Sequence, residues 1–471
     1  MIAGLKPYAE MNASGTPGVG DIPSHWCVRN LRNVLSPVTE RNRPDLPLLS
    51  VVRERGVVLR DTDNKEENHN FIPDDLSNYK VVRAGQFAMN KMKAWQGSYG
   101  VSRYDGIVSP AYFTFVLKGV EGDFFHLAIR SNAYVPFFTQ ASDGVRVGQW
   151  DLSQSRMKEI PFLIPPPDEQ TAIVRFLDHA DRRIRRAIVA KQKLIRLLEE
   201  QKRAIIHRAV TRGLDPDVRL KPSGVEWLGD VPEHWDVVSL RRVITRAVDG
   251  PHHSPKYLDS GIPFISARNI KVDHWSLGDA KFISEGDYAD FSRRVTPELG
   301  DVLYTKGGTT GVARVVDLDF RFQVWVHVAV LKVKKSLVSP SYLAMALNSP
   351  RCYEQAQLFT RGATNQDLGL GRMKGIFLAL PPITEQGAIL SAVESDTASM
   401  RSAAQRARSE IELLREYRIR LVADVVTGKL DVREAAAKLP EMIEPEDSEL
   451  DADGMNEEES LEEVAAEDQA A

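Results

Sequence analysis

The sequence predicts an α/β (α+β) protein with two mixed α/β domains, each followed by a long amphipathic helix. The first observation behind this is an echo at an offset of 209. Ser14-Gly15, Gly20-Asp21, Pro23, His25-Trp26, Val28, Leu31-Arg32 and Val34 return as Ser223-Gly224, Gly229-Asp230, Pro232, His234-Trp235, Val237, Leu240-Arg241 and Val243. The second is an echo at 216, in which Pro165-Pro166, Glu169-Gln170, Ala172-Ile173 and Leu197-Leu198 return as Pro381-Pro382, Glu385-Gln386, Ala388-Ile389 and Leu413-Leu414. The third is a change of periodicity inside each copy, from short β-branched runs to a helical repeat. A chain of 471 residues is too long for one core, and this period is too long for a solenoid. It reads as a duplicated domain, one module over 14–215 and the other over 223–436.

Within each module the front part is mixed. Val57-Val58-Leu59, Tyr112 to Leu117 and Val324 to Leu331 are short, β-branched or aromatic, and bounded by Gly and Asp turns, as strands are. Ser341 to Asn348 reads as a short helix. After Ile164-Pro165-Pro166-Pro167 there is no Gly or Pro until Gly213, and Asp168 or Thr384 would cap the helix that follows. Ile173, Leu177, Ala180, Ile184, Ala187, Lys191, Ile195, Leu198, Gln201 and Ile205 step by about three and four. So do Ile389, Val393, Asp396, Met400, Ala403, Ala407, Ile411, Leu414, Arg418 and Leu421. Each stripe needs a cover, and the other copy supplies one. Phe176, Leu194 and Leu197 are apolar flanks left over for further partners. The expected division is 1–165 and 216–380 for the two front domains, 166–215 and 381–436 for the helices, and 437–471 for a tail.

Charge separates body from tail. The chain carries 61 Lys and Arg against 65 Asp and Glu, but 14 of the acidic residues lie in 441–471, which has no Lys or Arg. Residues 1–440 therefore carry about +10, the mildly basic balance of a nucleic-acid binder, and the tail reads as disordered. Two cysteines, Cys27 and Cys352, fit a reducing compartment, and no apolar run approaches the roughly 18 residues of a membrane span. No secretory signal is recognisable, so a cytoplasmic location is expected.

The motifs of catalysis are missing. Lys306-Gly307-Gly308-Thr309-Thr310-Gly311 has the glycines of a phosphate loop without its trailing lysine, and no glycine fingerprint opens a helix for a dinucleotide. Pro44-Asp45 with Asp63-Asn64-Lys65 imitates a nuclease motif but reads better as a polar turn. His252-His253 lack a carboxylate at ligand spacing. No catalytic residue, metal site or cofactor site is expected in the chain. Instead, several loops mix cations, aromatics and amides, the side chains that meet phosphates and base edges. The DNA-binding candidates in the first module are Lys91, Lys93, Trp95, Gln96, Tyr99 and Arg103. In the second they are His252, His253, Lys256, Tyr257, Arg268, Asn269, Lys306, Thr309, Arg361, Asn365 and Gln366.

Over nearly the whole length to about residue 436, the pattern resembles the specificity subunit of type I restriction-modification enzymes. The resemblance is carried by Pro23-Ser24-His25-Trp26 and Pro232-Glu233-His234-Trp235, by Gly261 to Ile265, by Gly300 to Leu303, and by the two Pro-Pro-x-x-Glu-Gln junctions. It implies two target-recognition domains joined by helices in an antiparallel coiled coil, a pseudo-two-fold arrangement. Each domain would read half of an asymmetric, interrupted target in double-stranded DNA. It implies a non-catalytic subunit that docks two methyltransferase subunits and restriction or motor subunits. S-adenosylmethionine, ATP and magnesium would belong to those partners. The alternatives are a coiled-coil adaptor without a nucleic-acid role and, less favoured for want of motifs, a self-contained endonuclease or methyltransferase.

Overall fold

A computed structural model describes residues 5–16, 19–61, 72–73, 75–144, 150–226, 228–362 and 367–440. They form two compact units: unit 1 is Met1–Gln192 with Ser409 onward, and unit 2 is Lys193–Arg408. Both boundaries fall inside the long helices, Pro167–Arg212 and Ile383–Val426. Each unit therefore owns the start of one helix and the end of the other.

A four-stranded antiparallel sheet lies at the centre of each unit. In unit 1 its strands are β1 (Leu35–Pro37), β2 (Phe87–Met89), β3 (Tyr99–Val101) and β4 (Phe113–Leu117), in the order β1-β4-β2-β3. In unit 2 they are β5 (Ile244–Asp249), β6 (Val302–Thr305), β7 (Ala313–Val315) and β8 (Val328–Val333), in the order β5-β8-β6-β7. The duplication read from sequence is thus a duplication of topology. The period-two alternation of a strand explains why Val328 to Leu331 of β8 are all apolar: Ala329 and Leu331 enter one core while Val328 and Val330 enter another.

One predicted strand divides. Val324 to Leu331 is two strands in different sheets, because the chain turns at Trp325, whose carbonyl accepts from Val328 N at 2.9 Å. Gln323–Val324 instead runs parallel to Phe264–Ile265, in a smaller three-stranded sheet completed by Lys281–Ile283. The predicted helix after Ser341 is present as Pro340–Leu347.

The echoed residues form the joint between front part and helix. In unit 1, strand Cys27–Asn30 pairs with Pro161–Ile164, which leads directly into the helix. Glu169, buried in its first turn, accepts from Trp26 Nε1 at 3.0 Å and from the Tyr8 hydroxyl, and meets His25 Nε2 at 2.7 Å. Unit 2 repeats the joint: Glu385 accepts from Trp235 Nε1 at 3.0 Å and meets His234 at 3.0 Å. Gln170 and Gln386 each donate to the carbonyl of the preceding proline pair, Pro165 and Pro381, and accept from the backbone N–H of Glu121 and Ser339. Asp168 and Thr384 lie inside the first turns rather than at the caps; as an acid beside helical N–H groups, Asp168 still complements the helix dipole.

The helices end alike. Gly213 and Gly428 both have φ 74°, the left-handed conformation that stops a helix without a Cβ penalty. A Cβ at Gly213 would lie 3.2 Å from the Trp235 ring and one at Gly428 3.2 Å from the Trp26 ring, so each helix end docks on a tryptophan of the joint.

Within unit 1 Ile173, Phe176, Leu177 and Ala180 share a core with Leu421, Val425 and Val426. Asp181 pairs with Arg418, and Lys191 with Glu410. Residue numbers rise on one helix as they fall on the other, so the segments are antiparallel. In unit 2 Ala209 and Val210 share a core with Ile389 and Val393, and Glu199 meets Arg408 at 3.2 Å. Three expectations need correction. Phe176 is core rather than a free flank, and Thr397 and Ala404, rather than Asp396 and Ala403, face inward. A helix of 3.6 residues per turn drifts from a strict 3.5 repeat, so the buried stripe slips by one residue.

Unit 1 also contains a buried histidine. His126 accepts from Val101 N at 3.1 Å, and burial first, then the Arg130 and Arg103 charges, push its pKa down to about 4 from 6.5. Its neutral form is the folded form. Stability is therefore complete above pH ~6.5 and falls as the pH drops toward 4, by up to about 3 kcal/mol. Denaturant titrations at pH 7 and pH 5 should show this slope in the wild type and a flatter one in His126→Gln.

Candidate nucleic-acid interface

Of the polar loops singled out above, those around Lys91 and Gln96 in unit 1 and around His252, Lys306 and Arg361 in unit 2 gather at one end of each four-stranded sheet. Arg103 lies at the opposite end, beyond Val101, which pairs with Phe87, and Arg268 follows a strand of another sheet. In unit 1 the chain leaves β2 through Asn90 and Lys91. In unit 2 it leaves β6 through Lys306, and β5 ends at Asp249. The two exits are built alike. Lys91 Nζ meets Asp151 at 2.6 Å while Leu152 N donates to the Lys91 carbonyl at 3.1 Å. Lys306 Nζ meets Asp367 at 2.8 Å while Leu368 N donates to the Lys306 carbonyl at 2.8 Å. Asp151 and Asp367 are themselves echoed, so the Lys–Asp latch could have been inferred by placing the copies side by side.

The latches differ in depth. The Lys91 and Asp151 side chains are 37% and 55% exposed, a surface pair. Lys306 is 6% exposed and also lies 3.4 Å from Asp249, itself 4% exposed. Arg294 completes the group: its Nε donates to the Asp249 carbonyl at 2.9 Å and Nη2 to the Asp249 carboxylate. Burial works against ionisation of Asp249, but the Arg294 hydrogen bond and the Lys306 charge outweigh it and hold the carboxyl below the usual range. His252 Nε2 lies 3.4 Å from the same carboxylate.

In unit 1, Lys93 and Arg103 are exposed, and Gln96 is half-buried on the turn Ala94–Gln96. Trp95 packs at 5.1 Å from Trp150, with its indole N–H buried and unpartnered among the described residues. Tyr99 must be withdrawn as a reader. It sits on β3 in the core, its ring 4.4 Å from Phe138 and 5.9 Å from Phe87.

In unit 2, His252, His253, Lys256 and Tyr257 are exposed along one segment, with His253 set edge-on to Phe291 at 5.3 Å and Tyr257 6.3 Å from Phe264. Arg268 and Thr309 are exposed on separate turns. Arg361 is exposed too, and its backbone pairs with that of Asp367. Two candidates need correction. Asn269 is buried, its oxygen accepting from Ser266 N and Oγ at 2.8 Å and its amide donating to Ser276 O and Asp279, so no hydrogen bond is left for a base. Lys306 is consumed by its two aspartates. Asn365 and Gln366 lie outside the described residues. The structure thus brings His252, Lys306 and Arg361 together around Asp249 and Asp367, and it adds Arg294, which the sequence reading passed over.

Of the nuclease-like residues, Asp45 is taken by Arg43 at 2.6 and 2.8 Å, and Asp63 to Lys65 lie outside the described residues. Among the described residues no cluster of His, Cys, Asp or Glu could hold a metal ion, and no helix is long and apolar enough to cross a membrane.

Residues 232–412 match the family model of the type I restriction modification DNA specificity domain. The second half of the chain thus carries a type I restriction-modification DNA specificity domain. It is similar to the putative type I restriction enzyme MjaX specificity subunit of Methanocaldococcus jannaschii, with 21% identity over 92% of this chain and all of that one. It is also 22% identical to the EcoBI specificity subunit of Escherichia coli, over 63% of this chain and 64% of the relative. A solved chain described under the assembly and conformational transition of the type I R-M system shares the fold, with a TM-score of 0.62 and 16% identity over 87% of this chain and 99% of its own. The matched model describes a DNA specificity domain, and these relatives are named specificity subunits.

Proposed function

We propose that each unit reads one half of an asymmetric, interrupted DNA target and that the two long helices carry the partner subunits. The observation that carries this reading is the repeated sheet with unlike loops at the same end. The scaffold and its Lys–Asp latch are kept in both copies, while the side chains offered there differ: exposed Lys93 and half-buried Gln96 in one, exposed His252, His253, Lys256 and Arg361 in the other. Equal scaffolds offer the duplex two equal approaches, and unequal loops read unequal bases.

Duplication also supports a pair of identical partners. Leu197 and Leu413, equivalent by the offset of 216, are 54% and 63% exposed on their helices. Leucines exposed at the same place in both copies support a surface that is covered twice. Two methyltransferase subunits would take these places, and restriction or motor subunits would join that core. S-adenosylmethionine, ATP and magnesium would be bound by the partners, and the complex would act on cytoplasmic DNA.

The test is to co-express the chain with its candidate methyltransferase, confirm that they co-purify, and map methylated adenines across the host genome. An interrupted motif with two unlike halves is expected. Methylation without a bipartite motif would overturn the reading.

A further inference from the structure

We infer that Arg294 reads a guanine: its guanidinium, braced from behind by Asp249, presents its free edge to N7 and O6 in the major groove. The inference rests on the proposed DNA-reading role of unit 2 and names one of the residues that performs it.

The geometry is that of a fixed fork. Arg294 follows the helix Glu285–Ser292, and its own carbonyl accepts from Arg246 Nη2 at 3.0 Å, so its backbone is held. Its Nε and one Nη2 hydrogen are spent on Asp249. Nη1 makes no hydrogen bond to any described residue, and the side chain is 45% exposed. An arginine with one edge bound to a buried carboxylate has lost most of its rotamer freedom before DNA arrives. Both Nη1 hydrogens stay available, and the second Nη2 hydrogen meets only the exposed His252 among the described residues, at 3.4 Å. Guanine is the base that offers two acceptors side by side in the major groove, which this fork fits.

The surroundings point the same way. His252 lies 3.4 Å from Arg294 Nη2, and the exposed His253, Lys256 and Tyr257 continue along the same segment. As a stability device the pair would be modest, since Arg294 is half in water. As a way to hold a reading group still, it is well made. Lys306 acts on this group through Asp249 and is a positioning residue.

The experiment uses the assembled complex with its methyltransferase partner and a duplex bearing the mapped target. Each guanine of both half-sites is replaced in turn by 7-deazaguanine, which lacks the N7 acceptor. Wild-type binding should weaken about tenfold or more at one guanine, as loss of a bidentate base contact does. Arg294→Lys and Arg294→Gln should bind the unmodified target more weakly, lose that 7-deaza effect, and relax the methylation motif at that one position only. Partner binding should match the wild type, and the melting temperature should fall only modestly as Asp249 loses its Arg294 hydrogen bonds but keeps Lys306. Variants that assemble normally and keep the wild-type 7-deaza profile and motif would overturn the inference. If both variants fail to assemble, the wild-type scan decides: tolerance of 7-deazaguanine at every guanine overturns it, and dependence on one in the half-site that unit 2 loops alter upholds it. A wild-type complex with no bipartite motif would instead defeat the proposed function itself.

Discussion

Glu169→Ala is expected to destabilise unit 1 by about 3 kcal/mol, because the buried Tyr8 and Trp26 donors and the more exposed His25 ring lose their acceptor together. The carboxylate is buried where Tyr8, His25 and Trp26 converge, with the Trp26 indole at 3.0 Å and the His25 ring at 2.7 Å. Burial, then the Glu169 hydrogen bond and charge, raise the Tyr8 hydroxyl far above its ordinary range, so it stays a neutral donor. Glu169→Gln retains an acceptor and should recover part of the loss. Glu385→Ala should cost less, since Glu385 is more exposed and serves two donors rather than three. Hydrogen exchange resolved by peptide checks this: lost protection should spread through Tyr8, Trp26 and the first turns of the Pro167–Arg212 helix, leaving unit 2 unchanged. Global denaturation alone would blur the two units.

Lys306→Met should destabilise unit 2 by about 2–4 kcal/mol, as expected when one partner leaves a buried ion group. The methionine preserves volume but leaves Asp249 with Arg294 alone. The equivalent Lys91→Met should cost less than about 1 kcal/mol, because its pair with Asp151 is open to water. Denaturant titration of both variants measures the contrast; equal costs would show that burial is not what separates the two latches.

Much of the fold could be read from the chain because duplication compares it with itself. The echoed Trp26 and Glu169 touch each other in unit 1, as Trp235 and Glu385 do in unit 2, which is why they recur together. The long helices were legible from periodicity and, in the first, from the absence of Gly and Pro between Pro167 and Gly213. What sequence could not supply was depth. Tyr99, Asn269 and Lys306 have the chemistry of readers, but the path of the strands places them in a core, a closed turn and an ion cluster. Arg294 escaped notice for the converse reason. It stands among ordinary surface charges in the sequence, and only the fold sets it against Asp249, 45 residues away. The split of Val324 to Leu331 has the same origin, since apolar runs do not reveal which sheet a strand joins.

The central claim is that the two units read separate halves of one target. The most direct measurement is the methylome of a complex whose specificity subunit carries residues 244–380 from a relative with a different second module. The account predicts that one half of the interrupted motif is replaced while the other is kept base for base. Both halves changing together, or neither changing while methylation continues, would contradict it.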